Sequence, residues 1–369
     1  MAHAQHTDMK HFFEQGRNES KRLIAHIAQT HIFDYLVPPS KMTFQGGDQL
    51  LLSDGTDKQV LGDLRIHSHA LSQLCQKVEI RPEYIRKLLS RNKPWATKLA
   101  ATNLTEHYAN IEVPAGTRYL HRVVNGELRG FLSRRYHRHL ASGPLLSAFM
   151  RACQLSGAHP VASRYNAVKN SLMCAKPELY EIDKSSSVAI GLEWSNSDFG
   201  AGRHSISLAV WTGRGTKWLL HDAMSQVHIG SVIEDSDLEA SDNTHFHDMA
   251  AQESAISDTV NQQLTSDGIE RVLDAIRKAH GAQVGWAQLR AELGHFLGKT
   301  QLEEAKAFFD ESVEFLPPVQ NGQAPMAWAL ELLGHLASKQ DSADRKTELE
   351  VGAGVILGKF LDRAPATAS

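Results

Sequence analysis

Residues 118–140, RYLHRVVNGELRGFLSRRYHRHL, hold six arginines, three histidines and one acidic residue. Asn125-Gly126 stands between two alternating runs, the strongest short-range signal for a two-residue hairpin turn, because both turn positions need positive φ. The implied register sets Val124 opposite Glu127, Val123 opposite Leu128, Arg122 opposite Arg129 and Arg118 opposite Ser133. One face then collects Tyr119, Val123, Leu128 and Leu132 for a core, and the other Arg118, Leu120, Arg122, Arg129 and Phe131. Two arginines facing each other repel by a few tenths to about 1 kcal/mol, and an anion between them reverses that sign. Arg134, Arg135 and Arg138, with Tyr136, extend the patch. Guanidinium groups bind phosphates in bidentate fashion and rings stack bases, so the pattern predicts a single-stranded nucleic-acid contact. The six arginines would hold phosphates while Phe131 and Tyr136 stack or wedge bases. The competing explanation is internal: carboxylates of the acidic C-terminal part pair the arginines.

Other segments bear on the same surface. SRYNAVKNSLMCAKP supplies Arg164, Tyr165, Lys169 and Lys176 on neighbouring strands, either as an extension of the basic face or as an ordinary polar sheet face. NSDFGAGRHS is a glycine-bearing turn beside Arg203, read as an anion nest or, more simply, as a turn in which Asn196 and Asp198 bond their own backbone. WTGRGTKWLL places Arg214 and Lys217 between Trp211 and Trp218, rings that either stack bases or fill the core.

A hydrolase reading needs His221, Asp222, His228, His245, His247 and Asp248, which offer ligands suited to a divalent metal. On a strand, His245 and His247 share a face. Their spacing matches no mechanistic motif such as H-E-x-x-H, and twenty histidines produce such proximity by chance. There is no phosphate-loop signature, no G-x-S-x-G elbow and no cysteine with a visible base, so neither ATP-driven nor nucleophilic chemistry is indicated and no cofactor is implied.

The elements that must position these residues follow from periodicity. Residues 1–60 read as an arm and a short hairpin. Residues 61–230 read as an α+β core, with two or three short helices before residue 110. Strands of period two then run from 117 to about 230, interrupted by the helix GPLLSAFMRACQLSG. Residues 231–268 are an acidic linker with a helical portion, and 269–369 a C-terminal helical module opened by the capping sequence SDGIERVLDAIRKAHG. The fold class is α+β: an antiparallel sheet with a β-hairpin and packed helices, plus that module.

Over 369 residues the net charge is only −3, but it is unevenly placed. Residues 1–220 carry a net +10 and residues 221–369 a net −13, which suits a polyanion-binding front and an acidic part that competes with the ligand or recruits a protein. Three cysteines without metal or redox spacing fit a reducing cytoplasm, and no segment reads as a signal peptide or membrane span.

The chain resembles the phage and plasmid-like protein family of unknown function, the domain-of-unknown-function family numbered nine-three-two. The resemblance rests on HALSQLCQKVEIRPEYIRKLL, LRGFLSRRYHRH, WSNSDFGAGRHSISL, VHIGS and TELEVGAGVIL, in that order, and covers roughly residues 60–360. It implies a role in the DNA metabolism of mobile elements. Relatives often carry a cysteine where this chain has WTGRGTKW, so any role of that cysteine does not transfer. The hairpin, helix and further antiparallel strands are similar to the core of single-strand annealing proteins of the RecT, Red-beta and Rad mediator type. Together these readings predict an ATP-independent, single-stranded DNA-binding and annealing protein that forms rings or filaments. The alternatives are the metal-dependent nuclease and a non-catalytic regulator acting on another protein.

Overall fold

The computed structural model describes residues 2–47, 49–54, 62–133, 141–183, 186–212, 216–226 and 242–361. A long helix α1 (Ala2–Gln29) leads into four strands, β1 (Phe33–Val37), β2 (Thr43–Gln45), β3 (Leu51–Ser53) and β4 (Leu64–Ile66). Three helices follow: α2 (Ser68–Lys77), α3 (Pro82–Leu89) and α4 (Pro94–Ala109). Proline opens α3 and α4, where its missing N–H costs nothing. The basic hairpin is β5 (Tyr119–Val124) and β6 (Glu127–Ser133). Asn125 and Gly126 have φ of 52° and 76°, as its turn requires.

These six strands form one sheet in the order β1-β5-β6-β4-β3-β2, antiparallel except where β4 runs parallel to β6. The hairpin is therefore central. Leu71, Leu74, Ile85, Ala100 and Leu104 of the helices pack with Tyr119, Val123, Leu128 and Phe131 in one core.

After α5 (Ser142–Leu155) come β7 (His159–Tyr165), β8 (Asn170–Ala175), β9 (Tyr180–Asp183), β10 (Ser186–Asn196), β11 (His204–Thr212) and β12 (Lys217–Gln226). They make a second antiparallel sheet, ordered β12-β11-β10-β8-β7 with β9 beside β10. The chain ends in α6 (Asp242–Gln263), α7 (Ser266–Gly281), β13 (Gln283–Gly285), α8 (Trp286–Leu293), α9 (Lys299–Glu311), β14 (Gln323–Pro325), α10 (Ala327–Ser338) and α11 (Ala343–Gly358). Strand alternation gives the second sheet an apolar face, with Leu172, Trp194, Ile206, Leu208 and Trp218 in one core with α5–α7, α10 and α11. Its other face carries Ser171, Glu193, Ser195, Ser205, Ser207 and Lys217.

The α+β class and the C-terminal helical part are as expected, whereas the internal boundaries differ. The hairpin and the later strands belong to two sheets, because the hairpin's edges are occupied by β1 and β4. The expected division at residue 60 falls between β3 and β4, which pair directly. The helical portion expected within the acidic linker is α6, which is no free spacer but packs on α5 and buries Gln252, Ile256 and Val260. Among the described residues no helix is long and apolar enough to cross a membrane.

Candidate nucleic-acid interface

The hairpin keeps the expected register for two pairs, Val124 with Glu127 and Val123 with Leu128, and then a bulge intervenes. Beyond it Arg122 faces Gly130, His121 faces Phe131 and Tyr119 faces Ser133. One extra residue in one strand reverses the alternation that follows. Phe131 consequently turns into the core at 1% exposure, edge-on to Tyr108 and His121, and has no face to offer a base. Arg122 and Arg129 are not cross-strand neighbours.

Nor are they open to a ligand. Arg122 is 6% exposed; its guanidinium donates to the Asp198 carbonyl and pairs with the Asp34 carboxylate, Nε to Oδ1 at 3.2 Å. Arg129 bonds the Glu127 carboxylate at 2.9 Å and the Ala167 carbonyl at 3.3 Å. Arg118 is exposed just before β5. Arg134, Arg135, Tyr136, Arg138, Arg214 and His228 lie outside the described residues.

The NSDFGAG segment is what covers the hairpin. Gly130 lets it approach, since a Cβ there would lie 3.2 Å from Phe199 Cα. Among the described residues the Asp198 side chain does not close the turn on its own backbone. The Ser197 hydroxyl does, accepting the N–H groups of Phe199 and Ala201 at 3.2 and 2.8 Å, which removes those donors from any anion nest. Asn196 donates to Ser142 Oγ, and the Asp198 carboxylate accepts the Ser142 N–H at 3.1 Å, at the start of α5. Burial raises the Asp198 pKa, partly opposed by Ser142 and Arg122. The Phe199 carbonyl accepts from Gln73 Nε2 at 3.0 Å and faces His69 Nε2 at 3.1 Å. This loop thereby joins α2, the hairpin and α5.

Lys217 and Arg164 are also engaged internally. Arg164 Nη2 reaches both Glu350 oxygens at 2.9 Å, and Lys217 Nζ lies 2.9 Å from both Glu193 and Glu350. Burial would raise the Glu193 carboxyl, but Lys217 and Arg164 outweigh it and hold the pKa below the ordinary value. Trp218 is fully buried in the core, and Trp211 packs against the Val161, Met173 and Ala175 cluster.

What remains accessible is the β7–β8 turn. Asn166 Oδ1 accepts the N–H groups of Val168 and Lys169, both at 2.9 Å. Arg129 holds the Ala167 carbonyl from the first sheet, and Ser197 donates to the Val168 carbonyl at 2.7 Å. On this braced turn Lys169 presents an ammonium that makes no hydrogen bond or ion pair among the described residues. It stands where two cavities meet, with Asn166 and Asp344 lining both. The first, about 380 Å³, is lined by Arg164, Arg203, Ser171, Ser195 and Ser207. The second, about 530 Å³, is lined by His67, His69, Ser72 and Arg86. Tyr165, 42% exposed and stacked on His26 at 4.7 Å, sits at the rim of the first. Glu193 and Arg164 are neutralised mainly by their own partners, so the cleft's remaining charge comes from Lys169, with Arg203 in the first cavity, Arg86, itself paired with Glu83, in the second, and Asp344 lining both. Cations over a hydroxyl-lined floor suit a phosphate group.

Of the residues expected from sequence, the cleft thus gathers Arg164, Lys169 and Arg203, and excludes the hairpin. His67, Ser72 and Arg86 went unnoticed because α2 and α3 have ordinary amphipathic patterns; only the topology brings them to the turn. His247 and Asp248 lie on α6, a helix, where residues two apart point about 200° apart. The side chains of His221, Asp222 and His245 lie outside the described set. Among the described residues, no three His, Cys, Asp or Glu are grouped to hold a metal ion. All three cysteines are buried thiols, and burial pushes Cys75 up to about 11. No protein-family model, curated protein or solved structure matches the chain.

Proposed function

We propose that this protein binds single-stranded nucleic acid through its backbone in the cleft around the β7–β8 turn, and that it promotes strand annealing without ATP. The supporting observation is Lys169, an unpaired ammonium on a turn fixed from three directions, between two polar cavities that Arg203 and Arg86 also line. A braced turn has little backbone freedom to lose when its lysine meets a phosphate, so more of the Coulomb attraction remains as affinity. Both cavities lie in the size range of small-ligand sites, so each has room for a nucleotide unit. Annealing asks for a neutralised backbone with bases left accessible, and subunits side by side would extend one cleft into a groove.

The test is to mix the purified chain with labelled single-stranded and duplex oligonucleotides at two salt concentrations, with and without chelator. Single strands should bind more tightly than duplex, more weakly at high salt, and complementary strands should anneal with or without chelator. Absence of binding, or cleavage abolished by the chelator, contradicts the reading.

A further inference from the structure

The second surface with unspent charge lies on α3, α4 and the turn between them. Residues 81–98 contain six basic residues and one acidic residue, and Glu83 is taken by Arg86. Among the described residues Arg81, Lys87, Lys93 and Lys98 are exposed and have no ion pair. Helix α4 buries Ala96, Ala100 and Leu104 against the sheet and leaves Trp95 and Leu99, one turn apart, outside at 54% and 40% exposure. The Arg91 guanidinium lies 5.4 Å from the Trp95 ring centre. Tyr84, 45% exposed, is held beside α4 by the Asn103 amide, which donates to its hydroxyl at 3.1 Å.

We infer that this face is a second contact for the same single strand, in which Trp95 and Tyr84 stack bases while the surrounding cations take phosphates. The inference rests on the proposed function. Two features select a nucleic-acid strand as the occupant. An apolar partner would desolvate several unpaired cations, which is costly, whereas flat exposed rings among cations match the alternation of base and phosphate along a single strand. Arg86 links the two surfaces, since it belongs to α3 and also lines the Lys169 cleft, where it donates to Ser72.

The experiment is a fluorescence titration with unstructured oligothymidylate, in parallel with polyglutamate. Trp95 is the most exposed tryptophan, so stacking should quench emission. Trp95→Ala should lose both the quench and roughly 5- to 100-fold in affinity, and Trp95→Phe should recover most of the affinity. A Lys169→Ala/Arg203→Ala protein should bind more weakly yet still quench at saturation. Should Trp95→Ala bind like the parent while the Lys169/Arg203 variant is impaired, the platform is overturned and the cleft stands. Failure of the parent chain to bind oligothymidylate removes both. Quenching by polyglutamate but not by oligothymidylate also overturns the proposal, and assigns the face to an acidic peptide.

Discussion

Arg122 and His204 illustrate how side-chain type and side-chain task part company. An arginine three residues before Asn125 reads as a surface cation, yet here it spans the junction between the sheets, and its removal would leave the buried Asp198 carbonyl without that donor. His204 is fully buried, and among the described residues neither ring nitrogen has a hydrogen-bond partner. Burial lowers its pKa to about 4, and burial likewise takes His121 to about 4 against the opposing Tyr119 carbonyl. Both values lie below the unfolded value of 6.5. Between those limits the unfolded chain binds the protons, so stability is full above about pH 6.5 and falls as pH drops toward 4, by about 3 kcal/mol per histidine. Asp198 acts in the opposite sense, its raised pKa favouring the folded state at the acid end. His204→Phe should therefore melt closer to the parent at pH 7.5 and clearly above it at pH 5. Equal differences at both pH values would show that His204 does not titrate in this window.

At the scale of elements, local signals were readable and close approaches were not. The Asn-Gly turn, the helix over Ser142–Leu155 and the period-two strands all stand where the sequence placed them. The bulge after Val123 was hidden, because nothing in the alternation marks one surplus residue, and it moved Phe131 from an outer face to the core. Helix α11 carries a second such contact. A Cβ on Gly354 would lie 1.7 Å from the Leu219 carbonyl oxygen, so only glycine lets α11 lie this close to β12. One turn earlier on the same helix, Glu350 reaches between Arg164 and Lys217. Gly354→Ala should lift the helix, cost about 3 kcal/mol or more by overpacking and weaken that ion cluster. Thermal melting and amide exchange along α11 check it; a variant with the parent's stability and protection would refute the account of this contact.

At the scale of the whole molecule, the charge asymmetry seen in sequence has two destinations. Part of it is internal: Arg164 and Glu350 are 186 residues apart in the chain and bonded in the fold, a pairing that no local window reveals. The acidic C-terminal part thus reaches back onto the basic part through Glu350, and through Glu331, which accepts from Thr216. The remainder is external, at the β7–β8 turn and on α3–α4. Of the residues expected to bind nucleic acid, those on the hairpin strands are spent within the fold, whereas Lys169 and Arg203 reach a cleft whose other walls were unforeseen.

The salt dependence of oligonucleotide affinity separates these two destinations most directly. For single strands the slope of log K against log salt is about −0.7 per phosphate neutralised. Lys169→Gln/Arg203→Gln should flatten the slope by about 1.4. Arg122→Gln should cost about 1 to 3 kcal/mol of stability, because it takes the guanidinium donor from the buried Asp198 carbonyl, and leave the slope unchanged. An unaltered slope in the cleft variant, with a flattened one in the Arg122 variant, would contradict the account.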